Sequence, residues 1–375
     1  MGAFLIEKEL TSLVESYKSF IIIPDTALDS LLATGVLLKA LAEHGWDVRV
    51  SLDAKTLIDY PSDPAILLNL PPQSKDKQVA VYSSQEGSVT AKIVLLVEHM
   101  FGSDKWSKML AILAGLYRKY YNFKEGGFKG VENGIFNELS QSRLVTEAPA
   151  LRVWGAKRKN LVAALTRTLM PIIPGVTGVP DKARKIVESV FKDQDAYLVK
   201  EKEIRGDEKS KSLLKSLLDS MGSSSAVMDL LGDFYMLLPR GSVELEASEV
   251  LGSLVVYESL CEKCPLNIVL VPLDEQRVSQ VISIYDEVID QLVMVVAGQV
   301  DLAKRGEPIE TEGLFERPEL VIDTLAYINA LPRDRPVSII RGDGRVTALR
   351  ELIRVGVDPK RAYVECEPSQ LCTLR

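Results

Sequence analysis

Histidine is almost missing from this chain: 375 residues include only His44 and His99. A histidine-rich metal centre therefore cannot be built, and a Ser-His-Asp triad has just two candidate bases. Four cysteines are too few for a disulfide scaffold of this length. Long apolar runs are missing too. A membrane helix needs roughly 18 uninterrupted residues, and the longest candidate, 21–41, is broken by Pro24, Asp25, Asp29 and Lys39. The opening MGAFLIEKEL lacks the basic-then-apolar order of a signal peptide, so the reading is cytoplasmic with no membrane partner. Neither G-x-x-x-x-G-K-[ST] nor G-x-G-x-x-G occurs, which removes NTP hydrolysis and dinucleotide binding as leading ideas. Positive charge is in deficit: 45 basic against 52 acidic residues give −7, so bulk attraction to nucleic acid is excluded. Seven Asn and ten Gln are few for this length, as in thermophilic proteins.

What is present is an alternation of strand and helix patterns. Ser19–Ile23 reads as a buried parallel strand ending at Pro24-Asp25, after which Asp29 opens an amphipathic helix with Gly45 as its stop. Residues 47–52, 65–70 and 78–82 read as further strands, and 89–101 and 106–121 as helices. This order predicts an open, mostly parallel sheet with ligands at the carboxyl ends of its strands, where Asp25, Asn69 and Ser83 fall. Residues 152–170 read as a helix, and 181–218 as a charged, solvated helical stretch followed by a GSSS hinge at 222–225. A second α/β unit follows, with helices at 243–258, 278–297 and 346–355 and strands at 266–271 and 337–341. The expected division is 1–178, a helical connector at 179–225, and a smaller C-terminal α/β domain at 226–375.

Several constellations could carry chemistry. Asp25 and Asp29 stand four apart where a strand meets its helix, an arrangement suited to a divalent metal and equally to a plain helix N-cap at Asp29. Tyr82–Gly87 holds small hydroxyls that could bind phosphate at a helix start, or make a generic turn. Cys261 and Cys264 have zinc spacing, but Cys366 and Cys372 have five residues between them. Free thiols are the expectation, with a zinc site or a disulfide as alternatives. Arg152, Lys157, Arg158, Lys159 and Arg167 form one basic group, and Arg341, Arg345, Arg350 and Arg354 another. Most are read as solvated helix faces. Lys157–Lys159, and Arg341 with Arg345 around a glycine turn, are the candidates for phosphate-backbone contact.

Taken in order, PDTALDS (24–30), NLPP (69–72), YSSQEGS (82–88) and KMLAILAGLYRKY (108–120) resemble the DHH phosphoesterase superfamily, within it the archaeal RecJ-like branch. Residues 125–139, 169–178, 244–261 and 282–293 resemble later segments of that branch. The likeness is one of arrangement, since no motif is intact. With Asp29 as the last member of the His-x-Asp-x-Asp motif, Ala27 replaces the middle Asp and Asp25 the His. Asn69 stands for the next Asp, and Ser83-Ser84-Gln85 for Asp-His-His. Residues 116–121, where a further metal-binding Asp belongs, hold no carboxylate, and the glycine-rich GGGH element is absent. The family's two Mn²⁺ or Mg²⁺ ions would be left with Asp25 and Asp29.

A RecJ-like fold with an emptied metal site resembles the non-catalytic branch that joins GINS and the MCM motor in the replicative helicase. The resemblance implies no cofactor, GINS and MCM as partners, a place at the nucleoid, and single-stranded DNA as a contact. Two alternatives stand beside it: a residual metal-dependent phosphoesterase or exonuclease using Asp25 and Asp29, and a small-molecule binder in the former cleft.

Overall fold

In the computed structural model, the N-terminal region runs α1 (Gly2–Ser16), β1 (Ser19–Pro24), α2 (Leu28–Glu43), β2 (Asp47–Val50), α3 (Thr56–Asp59), β3 (Ala65–Leu68), β4 (Gln78–Val81), α4 (Val89–Phe101) and α5 (Lys105–Tyr117). The structure describes all residues except 1, 75–76, 103, 123–125, 201–207, 222–229, 241–242 and 375, and the side chains of 2–7, 148–150, 210, 220 and 221. The four strands pair in the order β2-β1-β3-β4, all parallel. Alternate residues face opposite ways. Phe20, Ile22, Ile66, Leu68 and Val81 enter the core shared with α2, α4 and α5. Ile21, Ile23, Ala65 and Leu67 enter a second core closed by Leu349, Leu352, Ala362 and Tyr363 from the far end of the chain. Both faces of the central strands are covered, which is why β1 and β3 are near-continuous apolar runs. Each such buried aliphatic side chain contributes about 1.5–3 kcal/mol.

The middle of the chain departs from expectation. After the small β5 (Tyr121–Asn122) and β6 (Gly127–Phe128) hairpin and α6 (Glu132–Gln141), β7 (Val145–Leu151) pairs antiparallel with β8 (Leu231–Leu237), and β8 with β9 (Glu244–Glu246). The sequence patterns do not announce this sheet. The helix expected over 152–170 is confined to α7 (Leu161–Arg167), capped by the Asn160 side chain. The charged stretch resolves into α8 (Pro180–Val190) and α9 (Glu208–Met221). Ala183, Val187, Leu213 and Leu217 form a core with α7, so this stretch is more than a solvated connector. The hinge expected at 222–225 lies outside the described residues.

The C-terminal part holds α10 (Ala247–Leu260), α11 (Cys264–Val269), α12 (Arg277–Lys304), β10 (Ile309–Glu310), α13 (Glu319–Tyr327), β11 (Ile339–Arg341), β12 (Gly344–Ala348), α14 (Leu349–Arg354), α15 (Pro359–Glu365) and β13 (Leu371–Leu374). Here β10 and β11 are parallel, while β11, β12 and β13 are antiparallel. Residues 266–271, expected as a strand, are helical: Pro265 starts α11 and a 3-10 turn follows at Val271–Leu273. A short apolar run cannot separate these possibilities by periodicity. The helix expected from Val346 begins only at Leu349, because Val346–Ala348 belong to β12.

Cysteine also departs from expectation. Cys261 pairs with Cys264 and Cys366 with Cys372, with Cα–Cα distances of 5.1 and 4.2 Å. Among the described residues there is neither a free thiol nor a four-cysteine zinc site. Paired cysteines are usual in exported proteins and in intracellular proteins of hyperthermophiles. Arg317, fully buried, ties the two disulfide loops together by donating to the Glu262 carbonyl at 3.3 Å and the Ser369 carbonyl at 3.0 Å.

Candidate functional site

The carboxyl ends of β1, β3 and β4 converge with the start of α4 and the end of α5, and this brings together most of the residues singled out in the sequence. Asp29 is not the N-cap of α2, a position held by Ala27. It lies in the first turn, fully buried, with its carboxylate turned toward α4 and α5. Oδ1 accepts from the Thr90 N–H at 2.9 Å; the Thr90 hydroxyl also stands 2.9 Å from Oδ1, but its nearer acceptor is the Asp29 carbonyl oxygen at 2.6 Å. Oδ2 accepts from the Ser83 hydroxyl at 2.6 Å, the Val89 N–H at 3.1 Å and Arg118 Nε at 2.9 Å. A carboxylate offers about four lone-pair positions, and the Ser83 hydroxyl, the Val89 and Thr90 N–H groups and Arg118 Nε occupy them. Burial alone would raise its pKa. The Arg118 guanidinium, with Ser83 and Thr90, outweighs burial and holds the carboxyl below its ordinary value.

Asp25 has a different environment. Its Oδ1 accepts from the Ala27 N–H at 3.2 Å, and burial raises its pKa against the opposing pull of Arg350, Ser30 and Arg118. Asn69, in a left-handed backbone conformation (φ 57°), bridges the two sides. Its Nδ2 donates to Ser30 Oγ at 2.8 Å and its Oδ1 accepts from the Ser83 N–H at 2.9 Å. Ser84 faces outward and accepts from Lys92 Nζ at 2.8 Å; the same ammonium donates to the Tyr82 carbonyl at 2.8 Å. Gln85 is exposed in the turn closed by the Ser84–Gly87 bridge.

The divalent ions implied by the resemblance do not fit these residues. Asp29 has no lone pair left for a cation, and Asn69, Ser83 and Ser84 are neutral groups engaged with one another or with Lys92. Among the described residues no three His, Cys, Asp or Glu side chains converge as metal ligands. The arrangement is a closed hydrogen-bond network.

Beside it opens a cleft of about 480 Å³, bounded by Asp25 and Ala27 at the end of β1, Tyr117–Lys119 at the end of α5, α13 and α14. Its wall is an ion cluster. Tyr117 donates to Asp323 Oδ1 at 2.8 Å, and Arg350 donates to the same oxygen at 2.7 Å and to the Tyr117 hydroxyl at 3.1 Å. Glu258 lies against this cluster, buried, with neither carboxylate oxygen bonded. Burial and the neighbouring Asp323 push its pKa well above the ordinary range.

The basic candidates lie elsewhere. Lys157 pairs with Glu244, and Arg158 forks onto Glu249 at 2.6 and 2.8 Å and reaches Asp286 at 3.1 Å. Lys159 also pairs with Asp286, at 3.1 Å. Arg341 pairs with Glu262 at 3.3 Å, and Arg345 is exposed on β12. None of these five lines the cleft. Arg118, Lys119, Arg350 and Arg354 do. Sequence reasoning misses Arg118 because it seeks a carboxylate in residues 116–121. The signal available is a base standing where the resemblance calls for an acid.

The geometry defines a mixed α/β protein built on a four-stranded parallel sheet with a polar network at the strand ends. Its particular fold is that of CDC45. The structure of CDC45 from Entamoeba histolytica is similar with a TM-score of 0.56 at 8% identity, over 92% of this chain and 87% of that one. Exonuclease RecJ bound to manganese has a TM-score of 0.35 at 9% identity, over 91% and 81% of the two chains. RecJ in complex with Mn²⁺ from Thermus thermophilus has 0.34 at 13%, over 92% and 47%. By sequence, no family model and no curated protein matches the chain. Among the described residues no helix is long and apolar enough to cross a membrane.

Proposed function

We propose that the chain is a non-catalytic component of a replicative helicase assembly, binding GINS and supporting the MCM motor. One observation carries the reading: the Asp29 carboxylate is engaged by the Ser83 hydroxyl, the Val89 and Thr90 N–H groups and Arg118, so the position where the family's chemistry would need a metal ligand serves as structure. The CDC45 fold supports it at the level of architecture. Single-stranded DNA is assigned to the cleft, where Lys119 stands beside open volume and Arg118, Arg350 and Arg354 are each paired with a carboxylate.

Co-expression with the GINS and MCM proteins of the same organism, followed by gel filtration in EDTA, tests the reading. Stable co-elution is expected, since assemblies of this kind bury on the order of 1,200–2,000 Å² or more. Separate elution at micromolar concentration would count against it. So would Mn²⁺-dependent hydrolysis of single-stranded DNA that disappears in Asp25→Ala/Asp29→Ala, which would favour the residual exonuclease.

A further inference from the structure

The misfit between this site and divalent ions has a positive counterpart. Two cationic side chains reach the strand ends: Arg118 from the end of α5 and Lys92 from α4. Arg118 Nε bonds Asp29 Oδ2 at 2.9 Å, and Asp29 is wholly buried. Desolvation penalises a lone buried carboxylate heavily, so the guanidinium supplies the neutralising charge that burial of Asp29 demands. Lys92 holds the Tyr82–Ser84 turn by its carbonyl and hydroxyl. Between them the two cations fix Asp29 in the first turn of α2 and the turn that follows β4.

We propose that Arg118, seconded by Lys92, is a built-in replacement for divalent metal. Its charge holds α2, α4 and α5 in register through Asp29, and makes this end of the sheet permanently metal-independent. Arg118 is on this view a positioning residue. The inference rests on the reading of the site as non-catalytic, but concerns the isolated chain and needs no partner.

Thermal unfolding of the full chain tests it, in EDTA and in millimolar Mn²⁺. The wild type should give the same midpoint in both. Arg118→Met should lower the midpoint by roughly 5 °C or more, because it strands a buried charge. Arg118→Lys should recover part of that loss. In an Asp29→Asn background the loss caused by Arg118→Met should shrink by half or more, since the two changes act through one charge pair. A role in packing alone would give an undiminished loss in that same Asp29→Asn background, and that result overturns the proposal. A wild-type midpoint that rises with Mn²⁺ overturns it as well, and does not depend on whether any variant folds. Failure to bind GINS would touch only the functional reading.

Discussion

Gln370 reaches across 346 positions of sequence to donate from Nε2 to the carbonyl of Pro24 at 2.6 Å. The same nitrogen donates to the Leu52 carbonyl at 2.8 Å. Gln370 is fully buried and in a left-handed conformation, within the loop closed by Cys366–Cys372. The end of the chain therefore seals the carboxyl end of β1, one residue before Asp25. Parallel strands leave carbonyls there that must find donors, and in this protein the donor comes from the C-terminal loop.

Gln370→Ala should therefore leave two buried carbonyls without this donor, at a cost of about 1–3 kcal/mol. Gln370→Glu should cost more at neutral pH, because it places an acceptor against two acceptors. Urea midpoints of the three proteins check this ordering. An alanine variant as stable as the wild type would show that water replaces the amide without loss.

Gly35, in the middle of α2, makes a second long-range relation. A Cβ there would stand 2.2 Å from the Val269 carbonyl oxygen and 2.6 Å from the Pro272 ring. The obstruction is a backbone oxygen and a proline ring, neither of which can rotate away. Gly35→Ala, although it raises helix propensity, should destabilise by about 1–3 kcal/mol through overpacking. A gain in stability would mean that α11 and the following 3-10 turn can withdraw freely.

These relations mark the limit of what the sequence shows. β1, β3 and β4 are legible as short, mostly apolar runs and α4 as a mostly apolar helical stretch, with Pro24, Gly87 and Ser88 marking boundaries. β7 and β8 are not, since Pro149 interrupts one and Gly232 and Asp233 the other. The helical state of 264–269 is hidden because its apolar side chains are buried by α2, a partner more than two hundred residues away. At the site, the rule of strand carboxyl ends brings Asp25, Asn69 and Ser83 together. It does not find Arg118, because a cation filling a carboxylate's place leaves no motif.

Stability should depend on pH through a buried acid pair in β8 and β9. Asp233 Oδ2 accepts from the Ser248 hydroxyl at 2.5 Å, and Glu246 Oε1 lies 2.9 Å from the same hydroxyl oxygen. Burial raises the Asp233 pKa from 3.8 to about 6, and burial with the Asp233 charge raises Glu246 well above its ordinary value. A raised acid pKa means that the folded protein binds more protons than the unfolded one. The linkage sign then makes this contribution fall as pH rises from about 4 through 6 and beyond. Asp233→Asn should flatten the decline in urea titrations between pH 4 and 8. An unchanged slope would place the extra protons elsewhere.

The last expectation separates structural charge from ligand-binding charge. Arg158 forks onto Glu249, which is 1% exposed, and braces Asp286. Arg158→Ala would leave Glu249 buried beside a gap. It should therefore destabilise by on the order of 3 kcal/mol while leaving single-stranded DNA affinity and its salt dependence unchanged. Lys119 lines the cleft, held over the Tyr327 ring at 4.9 Å and against that residue's carbonyl at 3.0 Å. If its ammonium meets a phosphate, Lys119→Ala should lower the slope of log affinity against log salt by roughly 0.7. Arg341→Ala/Arg345→Ala and Lys157→Ala/Lys159→Ala serve as comparison surfaces outside the cleft. Fluorescence anisotropy with an oligothymidylate across a salt series reads all four variants. A slope that falls with either outer pair and stays constant with Lys119→Ala would move the DNA path from the cleft to that outer surface.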